Sequence, residues 1–114
     1  MERNSLGFIE ISGVVAALDA LDIMTKSADV KFVSWERKLG GRLVTIIVTG
    51  EVAAVRVAIE NACQRAIKKP VAHLVLASPH EETWKIVEFS AKRLQKIKNH
   101  EKPDDFDGYQ ETHF

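Results

Sequence analysis

The run from Leu43 to Val48 reads Leu-Val-Thr-Ile-Ile-Val, with Gly40 and Gly41 before it and Gly50 after it. Five of its six residues are β-branched. Such side chains are stiff at χ1 and fit a pleated, packed surface better than a helix. A segment this apolar has no polar face to give to water. It must lie inside a sheet, covered on at least one side. The rest of the chain has to supply that sheet and its cover.

A second strand is predicted from Leu6 to Ile11, where Leu6, Phe8 and Glu10 alternate with Gly7, Ile9 and Ile11. Gly13 ends it, and Ser12 is a candidate cap for a helix. Val14 to Ser27 reads as that helix. Val14, Ala17, Leu18, Leu21 and Met24 form its apolar face, and Asp19, Asp22 and Lys26 its polar stripe. Ala16, Ala17 and Ala20 would let it sit close to a sheet. Val30 to Leu39 reads as a strand, with Phe32, Val33 and Trp35 as its bulk.

After Gly50, Glu51 opens a helix whose stripe is Val52, Val55, Ile59, Ala62 and Ala66. Lys68 and Lys69 suit its C-terminal end, and Pro70 stops it. Val71 to Ala77 gives a fourth strand, closed by Pro79. Glu81 to Lys98 gives a third helix with Trp84, Val87, Ala91 and Leu94 on one side. Its later turns are basic, so it is expected to project from the domain.

The order β-α-β-β-α-β-α predicts an α+β fold: a ferredoxin-like four-stranded antiparallel sheet with helices on one face, plus a C-terminal helical and flexible extension. The expected division is a domain over residues 1–88 and an extension over 89–114, a basic helix followed by an acidic tail. The tail carries Glu101, Asp104, Asp105, Asp107 and Glu111 against Lys102, with Phe106, Tyr109 and Phe114 among them. One sheet face is left without cover inside the chain, which points to a partner subunit.

Sixteen Lys and Arg balance sixteen Asp and Glu over 114 residues. That balance gives no sign of nucleic-acid or membrane binding. The opening MERNSLGFIEIS has too short an apolar run for a signal peptide. With Cys63 the only cysteine, neither an internal disulfide nor a CxxC site can be built. Its setting among alanines reads as a buried structural thiol. His73 within a strand reads as a packed or interface residue. His80 after Pro79 suits a capping or surface role, and His100 and His113 are too far apart for a compact metal pair. No catalytic residue, metal ligand set or cofactor is expected, and the chain is read as not an enzyme. The sequence Arg37-Lys38-Leu39-Gly40-Gly41-Arg42 is neither a P-loop nor GxGxxG. It runs from strand to strand, so local chemistry reads it as a hairpin loop flanked by cations.

Three stretches in fixed order add a resemblance: LGFIEISGVVAALDALDIMTKSADVKFVSWE, GRLVTIIVTGEVAAVRVAIENA and VAHLVLASPH. Over about Ser5 to Ile86 the chain resembles the single-domain, hexamer-forming shell proteins of bacterial microcompartments. The resemblance implies a homohexameric tile, located in a microcompartment shell in the cytoplasm. Its partners would be other shell proteins; the charged tail, which lies outside the resemblance, is read as a candidate segment for encapsulated enzymes. The resemblance implies a central pore for small metabolites lined by Leu39, Gly40, Gly41 and Arg42. It also implies tile-edge contacts at Lys26, Asp29, Ser78 and His80. Two of these depart from the family's usual residues: Asp29 stands where asparagine is common, and Ser78 where an arginine often reaches across the edge. The loop is one residue longer than the common form and ends in Arg42 rather than glycine. A small-molecule-binding regulatory module of ferredoxin-like fold is the alternative reading.

Overall fold

The computed structural model describes residues 4–100, with side chains as far as residue 97. The acidic stretch of the expected extension and His113 lie outside the described residues. In chain order the elements are β1 (Ser5–Ile11), α1 (Val14–Ser27), β2 (Lys31–Lys38), β3 (Leu43–Gly50), α2 (Val52–Arg65), β4 (Ala72–Leu76) and α3 (Glu81–His100). A single 3-10 turn, Leu39–Gly41, joins β2 to β3.

The strands line up as β2-β3-β1-β4, each pair of neighbours antiparallel. β1 and β2 therefore run the same way with β3 between them, and β3 and β4 do so with β1 between them. These two interleaved βαβ units are the ferredoxin-like sheet expected from the element order. The registers Ser5↔Gly50, Ile9↔Ile46 and Ile11↔Val44 fix the central pair.

On one face, Ile9, Ile11, Val44, Ile46 and Val48 pack under α1 and α2. α1 turns Ala16, Ala17, Ala20 and Met24 inward. Leu18, expected on the apolar face, is 51% exposed, because the three alanines rotate the buried stripe away from it. α2 lies so close to β1 that a Cβ on Gly7 would stand 2.7 Å from Val55 Cγ1. α2 also ends a turn before Lys68 and Lys69. The Asp19 carboxylate, reaching from α1, accepts the Ile67 N–H at 2.8 Å, and Ala66 is already extended.

The expectation that the other face lacks cover does not hold. α3 does not project; it lies on that face, with Trp84 and Val87 buried against Leu6, Val33 and Ile47. A register shift between Phe32 and Ser34 makes this possible. The bulge turns Val33 toward Trp84 and Ser34 toward Ser90, so two successive residues serve the same face. The 88/89 division drawn on the sequence falls inside the continuous helix α3.

Trp84 is 2% exposed and is the largest side chain joining α3 to the sheet. Trp84→Ala should cost about 3–5 kcal/mol of unfolding free energy in a denaturant titration. Ile86, on the opposite side of the same helix and 71% exposed, should change it by less than about 0.5 kcal/mol when replaced by alanine. Equal effects at the two positions would mean that α3 is not seated as described.

Candidate functional site

The implied site residues fall into two groups, and strand register decides where each lies. β2 ends and β3 begins at the pair Lys38↔Leu43, so residues 39–42 cap that end of the hairpin. The start of α1 is tied to the same end, because the Gly13 N–H donates to the Arg42 carbonyl at 3.1 Å. At the opposite end, Ser5 pairs with Gly50 and Leu6 with Leu76. Asp29 is there: a Cβ on Gly50 would lie 2.9 Å from the Asp29 carbonyl oxygen. Ser78 is there too, since Ser5 Oγ donates to the neighbouring Ala77 carbonyl at 2.9 Å. Lys26 sits in the last turn of α1, which has run the length of the sheet from Gly13.

Loop geometry is set by backbone conformation. Leu39, Gly40 and Gly41 all have positive φ, 55°, 66° and 89°. At Gly41 a side chain would also meet Val14 Cγ2 at 3.1 Å, whereas Gly40 faces open space. Gly41 is thus required by the close approach of α1, and Gly40 by its φ alone. Leu39 is 68% exposed at the tip. The Arg42 side chain folds back, with Nε donating to the Leu39 carbonyl at 3.2 Å. Glu36, near the end of β2, is held by Arg93 and by the Ser90 hydroxyl and forms no hydrogen bond or ion pair with Arg42.

At the far end, Lys26 pairs with Asp22 at 2.9 Å on the exposed side of α1. His80 caps α3: its Nδ1 accepts the Glu82 N–H at 3.0 Å. Glu81 and Glu82 lie in that helix's first turn, where the helix dipole favours negative charge. Two open concavities of about 470 and 520 Å³ meet at this end, and both are lined by Asn4 and Glu51. One also takes in Asp29 and the other Ser78. The structure thus brings Asp29 and Ser78 to either side of one shared rim.

Among the described residues no group of three or more His, Cys, Asp or Glu side chains could hold a metal ion. No described helix is long and apolar enough to cross a membrane. His73, read as a packed or interface residue, is exposed on β4 opposite Ile9.

A family model described as BMC domain matches residues 5–79, from the first residue of β1 to the link before α3. The chain belongs to the BMC domain family. Both the 39–42 loop and the far-end residues Lys26, Asp29 and Ser78 lie within the match. Among curated relatives, the bacterial microcompartment shell protein PduA of Citrobacter freundii is 40% identical over 89 residues, 76% of this chain and 95% of PduA. The carboxysome shell protein CsoS1A of Hydrogenovibrio crunogenus is 41% identical over 91 residues, 77% of this chain and 94% of CsoS1A. The bacterial microcompartment shell protein EutK of Escherichia coli K12 is 34% identical over 103 residues, and the match spans 88% of this chain but 61% of EutK. A crystal structure of a microcompartment protein from Desulfitobacterium hafniense DCB superimposes with a TM-score of 0.66 at 20% identity, and bears on the fold alone. The superposition covers 78% of this chain and 49% of that one. These relatives support a structural role in the shells of bacterial microcompartments, which are protein compartments of the cytoplasm.

Sequence alone does not group Ser34, Ser90 and Arg93. Ser90 meets Ser34 and Glu36, and Arg93 meets Glu36, across 54 to 57 residues of chain, so no local spacing links the two elements. The one faint signal is Ser90, a polar residue within the Val87–Leu94 apolar stripe of α3.

Cys63 packs at the margin of the core, and burial raises its thiol pKa while Lys69 partly opposes the shift. A thiol held protonated in the fold is a poor nucleophile at neutral pH. Native Cys63 should therefore react with iodoacetamide at pH 7.5 more slowly than the denatured chain does. Because the folded pKa lies above the unfolded one, this thiol should also subtract stability as pH rises past the unfolded value. Equal alkylation rates in the two states would show that the thiol is free.

Proposed function

We propose that the chain is a structural tile of a bacterial microcompartment shell: a homohexamer whose six 39–42 loops surround a central pore for small metabolites. The observation that carries this reading is the opposition of the two groups. Leu39, Gly40, Gly41 and Arg42 lie at one end of the sheet, and Asp29, Ser78 and the last turn of α1 at the other. The separating hairpin is eight residues long on each strand, roughly 25 Å. A tile needs such polarity, with one end at its axis and the other at its edge. Exposed apolar residues on α1, Val15 and Leu18, and on and just before β4, Leu74 and Val71, offer contact area between neighbouring subunits. In this reading residues 1–88 form the shell domain, and Lys26, Asp29, Ser78 and His80 meet adjacent tiles, of this or another shell protein. Residues 89–114 are the extension that encapsulated enzymes could engage. The relatives supply the shell setting.

Native mass spectrometry should give six copies at micromolar concentration; a stable monomer would count against the tile. The pore has its own test. With Nε engaged by Leu39, the terminal nitrogens of Arg42 remain available to an anion at the loop mouth. Six such groups would favour anionic metabolites over cations. Arg42→Ala should reduce that preference in conductance measurements on assembled layers. An unchanged preference would leave the glycine backbone as the determinant of the pore.

A further inference from the structure

α3 carries a second stripe that the described residues leave largely exposed. Ile86, Phe89 and Ile97 are 71%, 65% and 40% exposed. Their spacings of three and eight residues put them on one side of the helix, turned away from Trp84 and Val87. Arg93 lies in the same row, its guanidinium 5.8 Å from the centre of the Phe89 ring. Beside the row, Lys85, Lys92 and Lys96 form a ridge at spacings of seven and four. Lys85 is engaged by Glu82 at 3.1 Å, while Lys92 and Lys96 have no ion pair among the described residues. An amphipathic surface of this kind fits a segment that is both acidic and aromatic.

Residues 101–114 have that composition: five carboxylates against one lysine, with Phe106, Tyr109 and Phe114 interspersed. Pro103 comes shortly after α3 and cannot donate to a continuing helix, which permits the chain to reverse. Length is sufficient. From Ile86 to Ile97 the stripe spans roughly 17 Å, and eleven residues after Pro103 can extend roughly 35 Å. A tether this short gives the tail an effective concentration near millimolar at the helix that carries it, well above that of a free partner. We propose that residues 104–114 fold back antiparallel on α3 of their own chain. Their aromatic side chains would cover Ile86 and Phe89, and their carboxylates would face Lys92 and Lys96. Fold-back of this kind does not depend on the hexamer.

Zero-length carbodiimide cross-linking of the full chain tests it, using unlabelled and ¹⁵N-labelled chains refolded together and read by mass spectrometry. The expected links join Lys96 to Asp104 or Asp105, Lys92 to Asp107, and Lys85 to Glu111, each within one isotope. The Lys85–Glu111 link matters most, because closeness in sequence cannot produce it. Ile86→Ser with Phe89→Ser alters only exposed positions, and should lower that link about tenfold by removing the apolar seat. Unchanged Trp84 fluorescence would confirm that α3 stays docked in the variant. Absence of the Lys85–Glu111 link would overturn the proposal. So would abundant mixed-isotope links, which make a neighbouring copy the occupant, or links that the double substitution leaves unchanged.

Discussion

The pairing of β1 with β3 is the constraint around which the other elements are arranged. Seven register pairs, from Ser5↔Gly50 to Ile11↔Val44, hold two strands that are apolar on both faces. Val44, Ile46 and Val48 point one way and Ile47 the other. Neither face can be left to water, so each must be covered, and the two covers differ. On the α1 and α2 side the approach is close, made possible by small groups: Ala16, Ala17 and Ala20 on α1, Ala58 and Ala62 on α2, and Gly7 on the strand itself. On the α3 side the cover is dominated by one large residue, Trp84, which with Val87 fills the space over Leu6, Val33 and Ile47. Small residues set the helix-to-sheet distance on one face, and one large residue takes up most of it on the other.

Apolar burial alone gives α3 little direction, because it is insensitive to a slide or rotation of the helix. The polar seam supplies that direction. Ser34 and Ser90 are buried with their hydroxyls 2.7 Å apart, and Ser90 also donates to Glu36. A carboxylate can only accept, so the single Ser90 proton goes to Glu36, and Ser34 must donate to Ser90. Arg93 completes the set on the carboxylate, one turn further along α3. The order of donors is therefore fixed from strand to helix to strand, and every buried hydroxyl in the seam has a partner. Such a chain tolerates only one setting of α3 against β2. Glu36 lies on the strand that leads into the 39–42 loop, so the seam that seats α3 also anchors one arm of that loop.

Much of this fold is legible in the sequence because it is written in local periodicity. The β-branched run at Leu43–Val48, the alternation from Leu6 to Ile11 and the alanine spacing of α1 each reflect a period of two or of 3.6. The apolar side of α3 is legible for the same reason; its destination is not. Whether a helix projects or docks depends on what the sheet offers it, and here that is a bulge at Val33 and Ser34 that leaves no residue-level signal. The early end of α2 is hidden likewise: the Ile67 amide is taken by Asp19, 48 residues earlier in the chain. Leu39 to Arg42 can be identified as a loop by its glycines, and its resemblance to a pore segment rests on the ordered stretches around it. That its members and the Asp29 and Ser78 group occupy opposite ends of one sheet requires the registers.

The loop itself shows how a shape can be fixed before any assembly. Three successive residues with positive φ form an unusual backbone, and for Leu39 that conformation costs about 1 kcal/mol relative to the right-handed region. It persists because its surroundings hold it on both sides. The Leu39 carbonyl accepts from the Arg42 backbone N–H at 3.3 Å and from Arg42 Nε at 3.2 Å. The Arg42 carbonyl in turn accepts from Gly13, at the entry to α1. Gly41, pressed against Val14, closes the remaining freedom. A loop bound in this way to the start of a helix and to the ends of two strands does not wait for neighbours to order it. If six copies meet at an axis, the aperture between them is set by the geometry of each separate chain. The exposed Leu39 side chain and the outer nitrogens of Arg42 are then the parts left free to respond to what passes.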